Sequence, residues 1–204
     1  MENRESFLLE AATGVFMRYG IKSVNMDDMA RHLTVSKKTL YQYFKDKDDL
    51  VERAVGGFCT KEVNEIQEIC SRGLNAIDES LEIMKWVLGI LKNVHASVQF
   101  DLEKYYPSVY RKMKVERTRS VFDCMYKNLK KGQKEGLYRK DFHADIIAKI
   151  YISRLDLIFD QEVFPETHYK LTELYEEMFR YHINGIASEA GEKYLAEKLR
   201  MKRM

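Results

Sequence analysis

Asn25, Ser36 and Asp46 constrain this chain more than any other residues. Each is of a type whose side-chain oxygen accepts from the free backbone N–H groups of a helix's first turn. Asp28 and Asp49, three positions after the first and the last, can bond back in the manner of a capping box. A helix begun after Asn25 must end before Ser36, and one begun after Ser36 must end before Asp46. About two turns fit into each interval, with Thr34-Val35 left as the turn. Helices so short are unstable alone, so each needs a buried side. Met29, Ala30 and Leu33 supply it for the first, and Leu40 and Phe44, four apart, for the second.

Longer helices flank this pair. Leu8, Ala11, Ala12, Val15, Phe16 and Tyr19 form one apolar stripe, closed by Gly20, a residue suited to a left-handed helix end. After Asp46 a stripe of Leu50, Val51, Ala54, Val55 and Phe58 continues through Val63, Ile66 and Ile69. Gly56-Gly57 within it marks an expected bend. Further helices are expected over 78–97, 111–131, 143–160 and 167–187, with breaks at Pro107, Gly132, Gly136 and Pro165 and a charged helical tail from 190. Two prolines, no Asn-Gly or Asp-Gly pair and almost no polar/apolar alternation leave little room for strands. The expected fold is all-α. A three-helix N-terminal unit with a helix-turn-helix at 25–44 occupies residues 1–50, and a helical bundle residues 51–204, with about nine to ten helices in total.

At 45% hydrophobic and 32% charged residues, the chain has the composition of a folded globule. No run of about 18 uncharged apolar residues is present, so no spanning helix is expected. The N-terminus lacks a signal-peptide pattern. Cys59, Cys70 and Cys124 are too few and scattered for a zinc site or disulfide framework, so reduced thiols in the cytoplasm are expected. The five histidines form no His-Glu-x-x-His pattern, and neither a glycine-rich phosphate loop nor Gly-x-Ser-x-Gly occurs. We therefore expect no enzyme activity, cofactor or metal. His182, on the apolar stripe of the 167–187 helix, reads as a packed histidine.

Charge is informative through its distribution. The net charge is +2, but residues 31–47 carry five Lys/Arg against one acid. A helix that reads DNA needs its inner face fixed and its outer face free to enter a major groove about 12 Å wide. Leu40 and Phe44 point inward, and Lys37, Lys38, Thr39, Gln42 and Tyr43 outward. Lysine and glutamine reach base edges, whereas hydroxyls and the free amides at the helix starts, capped by Asn25 and Ser36, suit phosphate oxygens.

The stretch V-S-K-K-T-L-Y-Q-Y-F-K-D-K-D-D-L, with the upstream Y-G and M-D-D-M-A-R-H-L, resembles the signature of the TetR (tetracycline repressor-like) family over residues 5–55. A looser G-x-x-x-G-L-Y-R at Gly132 to Arg139 is similar to a segment of many members. The resemblance implies a homodimeric bacterial regulator with a C-terminal effector-binding and dimerising domain, bound to a palindromic operator. By position it places Lys37, Lys38, Thr39, Tyr41, Gln42 and Tyr43 on the recognition helix. Lys37, Lys38 and Gln42 would read bases; Thr39, Tyr43 and Lys47 would hold the DNA backbone; Tyr41 would help the packing. The sequence departs from the family at Thr34, where glycine is usual, and at Asn25, where threonine is.

A small-molecule effector is expected among the C-terminal aromatics Trp86, Phe100, Tyr106, Tyr110, Phe122, Tyr126, Tyr151 and Phe159. The dimer contact is expected on Ile146, Ile147, Ile150, Leu171, Leu174, Met178 and Ile183. The leading reading is a repressor released by its effector. The alternative is an activator, or a regulator of the same fold that needs no effector.

Overall fold

The computed structural model describes residues 2–201. Among them are ten helices: α1 (Glu2–Tyr19), α2 (Met26–His32), α3 (Lys37–Tyr43), α4 (Lys47–Ser71), α5 (Ala76–Leu91), α6 (Ser97–Tyr105), α7 (Pro107–Glu135), α8 (Ala144–Leu157), α9 (Leu171–Ile186) and α10 (Glu189–Met201). The described residues contain no strand, and a single isolated bridge pairs Tyr138 with Ala187. The all-α expectation holds.

The expected helix ends are largely in place. Asn25 Oδ1 accepts from the amides of Asp27 (2.8 Å) and Asp28 (2.9 Å), and Asp28 Oδ2 accepts from the Asn25 amide, a complete capping box. Ser36 Oγ accepts from the Thr39 amide at 3.0 Å. The third cap is displaced: Asp46 Oδ1 accepts from the Asp49 amide, but Asp49 bonds back to the amide of Lys45 rather than Asp46. Gly20 closes α1 at φ +83°. Gly56-Gly57 breaks nothing, because α4 is one continuous helix in which neither glycine ends the ladder.

The turn at Thr34 is a Schellman motif. The Val35 amide donates to Ala30 O (3.0 Å) and the Thr34 amide to Arg31 O (3.1 Å), placing Thr34 at the left-handed position. Its φ of +55° is unusual for a β-branched residue, which crowds its own backbone there. The departure seen in the sequence is therefore a strained residue inside an otherwise regular turn.

Two compact units form. The first takes residues up to Asn64 together with Asn93–Arg117, so it is broader than residues 1–50 and includes α6 and the start of α7. Its core joins Leu8, Ala12 and Phe16 of α1, Met29 of α2, Leu40 and Phe44 around α3, and Leu50 and Val51 of α4 with Val98 and Leu102 of α6. Burying side chains of this size contributes roughly 1.5–3 kcal/mol each.

The second unit takes Glu65–Lys92 and the residues from Thr118 onward. Ile77, Leu81, Leu129, Tyr138, Phe179, Ile183 and Ile186 form its main core, with a smaller cluster around Leu91, Ile158 and Tyr175. The glycine motif has a packing reason here. A Cβ on Gly132 would overlap the Tyr138 ring, and Gly136 ends α7 at φ +76°. Tyr138 is thereby buried, its single hydroxyl hydrogen within reach of Ala76 O (3.1 Å) and Asn128 Oδ1 (3.0 Å).

Candidate nucleic-acid interface

α3 is held from one side and open on the other. Leu40 and Phe44 are fully buried (0% exposed), which fixes the rotation of the helix about its axis. Lys37, Lys38, Tyr41 and Gln42 are exposed, and Thr39 and Tyr43 half-buried. Two expectations need correction. Tyr41, expected to help the packing, is 45% exposed. Tyr43, expected to point outward, packs part of its ring on the core.

Several polar groups of this face already have partners. Lys37 Nζ is paired with Asp27 of α2 at 2.8 Å, an interaction that raises its pKa while leaving both groups more than half exposed. Exposed pairs of this kind contribute little to stability, and the lysine can exchange its carboxylate for another acceptor. Thr39 Oγ1 lies 2.7 Å from Ser36 Oγ, so the two hydroxyls form one small polar cluster at the helix start.

Lys47, at the first position of α4, donates from Nζ to the carbonyl of Ile21 at 2.7 Å. Burial and the neighbouring Lys22 ammonium pull its pKa below the usual lysine value. Its ammonium keeps two further N–H donors.

Two residues absent from the sequence reading hold the head in place. Arg53 of α4 donates from Nη1 to the Tyr43 carbonyl at 3.0 Å, pairs with Glu5 of α1, and lies over the Phe44 ring at 4.9 Å. A cation on the last carbonyls of α3 suits that helix end. Asp101 of α6, 5% exposed, accepts from the amides of Ile21 (2.9 Å) and Lys22 (2.8 Å). Arg53 follows Leu50 by three positions, which places it on the face turned to α3. The bonds of Asp101 cross about 80 residues of sequence, and no local pattern announces them.

Two short capped helices, a left-handed turn between them and an inward Leu40/Phe44 pair make a helix-turn-helix whose second helix presents its outer face. Residues 8–54 match the family model described as "Bacterial regulatory proteins, tetR family". This chain carries, over those residues, the DNA-binding unit of the TetR family. It is 25% identical over 165 residues to the HTH-type transcriptional regulator YhgD of Bacillus subtilis (strain 168), covering 78% of this chain and 85% of YhgD. In fold it is similar to a transcriptional regulator from Saccharomonospora viridis in complex with choline, at a TM-score of 0.74 and 18% identity over 93% of this chain and 100% of that one. It is likewise similar to a TetR-family regulator from Agrobacterium tumefaciens, at a TM-score of 0.72 and 15% identity over 92% and 99% of the two chains.

The remaining expected residues are dispersed. Of the aromatics named for an effector, Phe100, Tyr106 and Tyr110 belong to the first unit, where Tyr110 is part of the core and Phe100 is 55% exposed. Trp86, Phe122, Tyr126, Tyr151 and Phe159 belong to the second unit. There Phe122 stacks on Tyr126 at 5.8 Å, and Tyr151 packs against His182. Of the residues named for the dimer, Ile146 and Ile150 are exposed, Ile147, Leu171, Leu174 and Met178 half-buried, and Ile183 buried at 2% in its own core. Ile183 is thus withdrawn as surface, and Leu157 and Tyr181 are 42% and 68% exposed. Among the described residues no helix is long and apolar enough to cross a membrane, and no cluster of His, Cys, Asp and Glu could hold a metal ion.

Proposed function

We propose that the protein is a repressor that binds a palindromic operator as a homodimer and leaves it when a small molecule occupies the second unit. One observation carries the DNA-reading part: Leu40 of α3 and Phe44 at its C-cap are wholly buried while Lys37, Lys38 and Gln42 of the same short helix are exposed. A helix locked in rotation can keep a register of base contacts. In this reading Lys37, Lys38 and Gln42 meet base edges. Thr39, Tyr43, Lys47 and the helix starts at Asn25 and Ser36 meet phosphates, and exposed Tyr41 lies along the groove. Two copies of α3 then engage half-sites about 34–36 Å apart, or a multiple of that.

The aromatics of the second unit, Trp86, Phe122, Tyr126, Tyr151 and Phe159, support an apolar or aromatic effector. The choline bound to the Saccharomonospora viridis regulator is consistent with a ligand held by aromatic faces. An effector acts only through a preference for one of the two states.

The test begins with selection of bound duplexes from a random pool. On the selected sequence, Lys47→Ala should weaken binding to every duplex and reduce the salt slope by about one. Gln42→Ala should change base preference instead. Equal losses for both variants on all sequences would sink this division of labour. A screen of small aromatic and quaternary-ammonium compounds for release of the duplex tests the effector. Binding that no compound alters favours the effector-independent alternative.

A further inference from the structure

The Lys22 amide and the Ile21 carbonyl are the two ends of one peptide unit. At one end the N–H donates to Asp101 Oδ2 at 2.8 Å; at the other the oxygen accepts from Lys47 Nζ at 2.7 Å. A carboxylate and an ammonium are thus joined through a single peptide group. The next amide in the chain's N-terminal direction, that of Ile21, donates to the same carboxylate oxygen at 2.9 Å, and Ser97 Oγ lies 3.4 Å from it. Asp101 is buried to 5% exposure, so its contacts to this loop are shielded from water. The loop fits closely: a Cβ on Gly20 would meet Ser97 Oγ at 2.6 Å and Asp101 Oδ2 at 3.4 Å.

We propose that Asp101 is a positioning residue for DNA binding, holding the Ile21–Lys22 peptide so that its carbonyl sets Lys47 in place for a phosphate. The inference rests on the DNA-binding reading above and assigns to α6 a part in it. Both bonds are charge-assisted, and bonds in series through one peptide polarise each other. A carboxylate on the N–H end makes the carbonyl a better acceptor, and the carbonyl fixes one of the three N–H groups of Lys47. The other two are then aimed rather than free to wander, and a phosphate meets a lysine whose rotamer is already chosen. Without the carboxylate Lys47 keeps its charge and loses its orientation. Around it stand Lys22, Asp48, Asp28 and Asp101 itself, all of which act on its ammonium.

The test is a double-mutant cycle on a mixed-sequence DNA duplex, using the full-length chain, with D101N, K47Q and the double variant. The D101N substitution keeps the shape of the side chain and removes its charge. It is expected to weaken binding about tenfold, the order of one charge-assisted hydrogen bond. It should also lower the salt slope by about one. In the K47Q background D101N should cost nothing further. Losses that multiply, or a salt slope that D101N leaves unchanged, would overturn the proposal, since Asp101 would then act through the fold alone. If D101N does not fold, D101E takes its place in the cycle. There too a weaker binding and a lowered slope are expected in the wild-type background alone, and losses that multiply with K47Q overturn the proposal. Should the wild-type chain bind no duplex at all, it is the DNA-binding reading that fails.

Discussion

Thr34 is the residue at which local strain is most exposed to test. A left-handed conformation costs a non-glycine residue about 1–2 kcal/mol, and glycine removes that cost while losing roughly 0.5–1 kcal/mol of backbone entropy on folding. Thr34→Gly should therefore raise stability by about 0.5–1 kcal/mol, seen as a higher urea midpoint at unchanged slope. Thr34→Ala keeps the left-handed cost and should gain little. An unchanged midpoint for the glycine variant would place the strain elsewhere. His182 makes a second prediction at this scale. Its ring packs against Tyr151, its Nε2 has no partner among the described residues, and burial, with the Arg154 charge, holds its pKa at about 4. In the unfolded chain it titrates near 6.5. Between these values the unfolded chain carries the extra proton, so stability falls as pH drops from 6.5 towards 4 and is level above 6.5. The whole effect is about 3 kcal/mol. His182→Leu should flatten that part of the Tm–pH profile relative to wild type. Parallel profiles would show that other groups set the acid limb.

Among the elements, the short helices were the most legible and α6 the least. Asn25, Ser36 and Asp46 announce α2, α3 and α4 because capping is local chemistry, complete within four residues. Gly20 and Thr34 likewise sit at left-handed turns, the first located by helical spacing and the second by the glycine that the family usually has there. The inward pair Leu40/Phe44 followed from helical period, but the exposure of Tyr41 and the partial burial of Tyr43 depended on neighbouring elements and did not. Asp101 and Arg53 act across 79 and 48 positions; spacing from Leu50 gives Arg53 its face but not its partners, and nothing local marks Asp101. The same holds for Ile183, which periodicity places on an apolar stripe without saying which side that stripe faces. Gly132 is intermediate: its motif was visible, its reason was not. Adding a Cβ there forces the Tyr138 ring out of its place, so Gly132→Ala should cost about 2 kcal/mol or more by overpacking. A thermal melt matching wild type would show that the ring has room to move.

For the whole molecule, subunit association is the next quantity to settle. Ile146, Ile150 and Leu157 are exposed on α8, and Tyr181 on α9. The proposed dimer would cover them. Ile150→Glu should shift sedimentation at micromolar concentration from dimer to monomer and weaken operator binding with it. A wild-type chain already monomeric there would remove the proposal. The first compact unit has a different kind of consequence. It is assembled from two separated stretches of chain, and Val98, Leu102 and Asp101 reach it only after the excursion through α5. An N-terminal fragment is therefore not a portable part. Grafted onto another regulator's body, residues 2–64 would arrive with an uncovered apolar surface and two amides without their carboxylate. A working exchange of DNA specificity would need to carry residues 93–117 as well, or replace only the exposed side chains of α3.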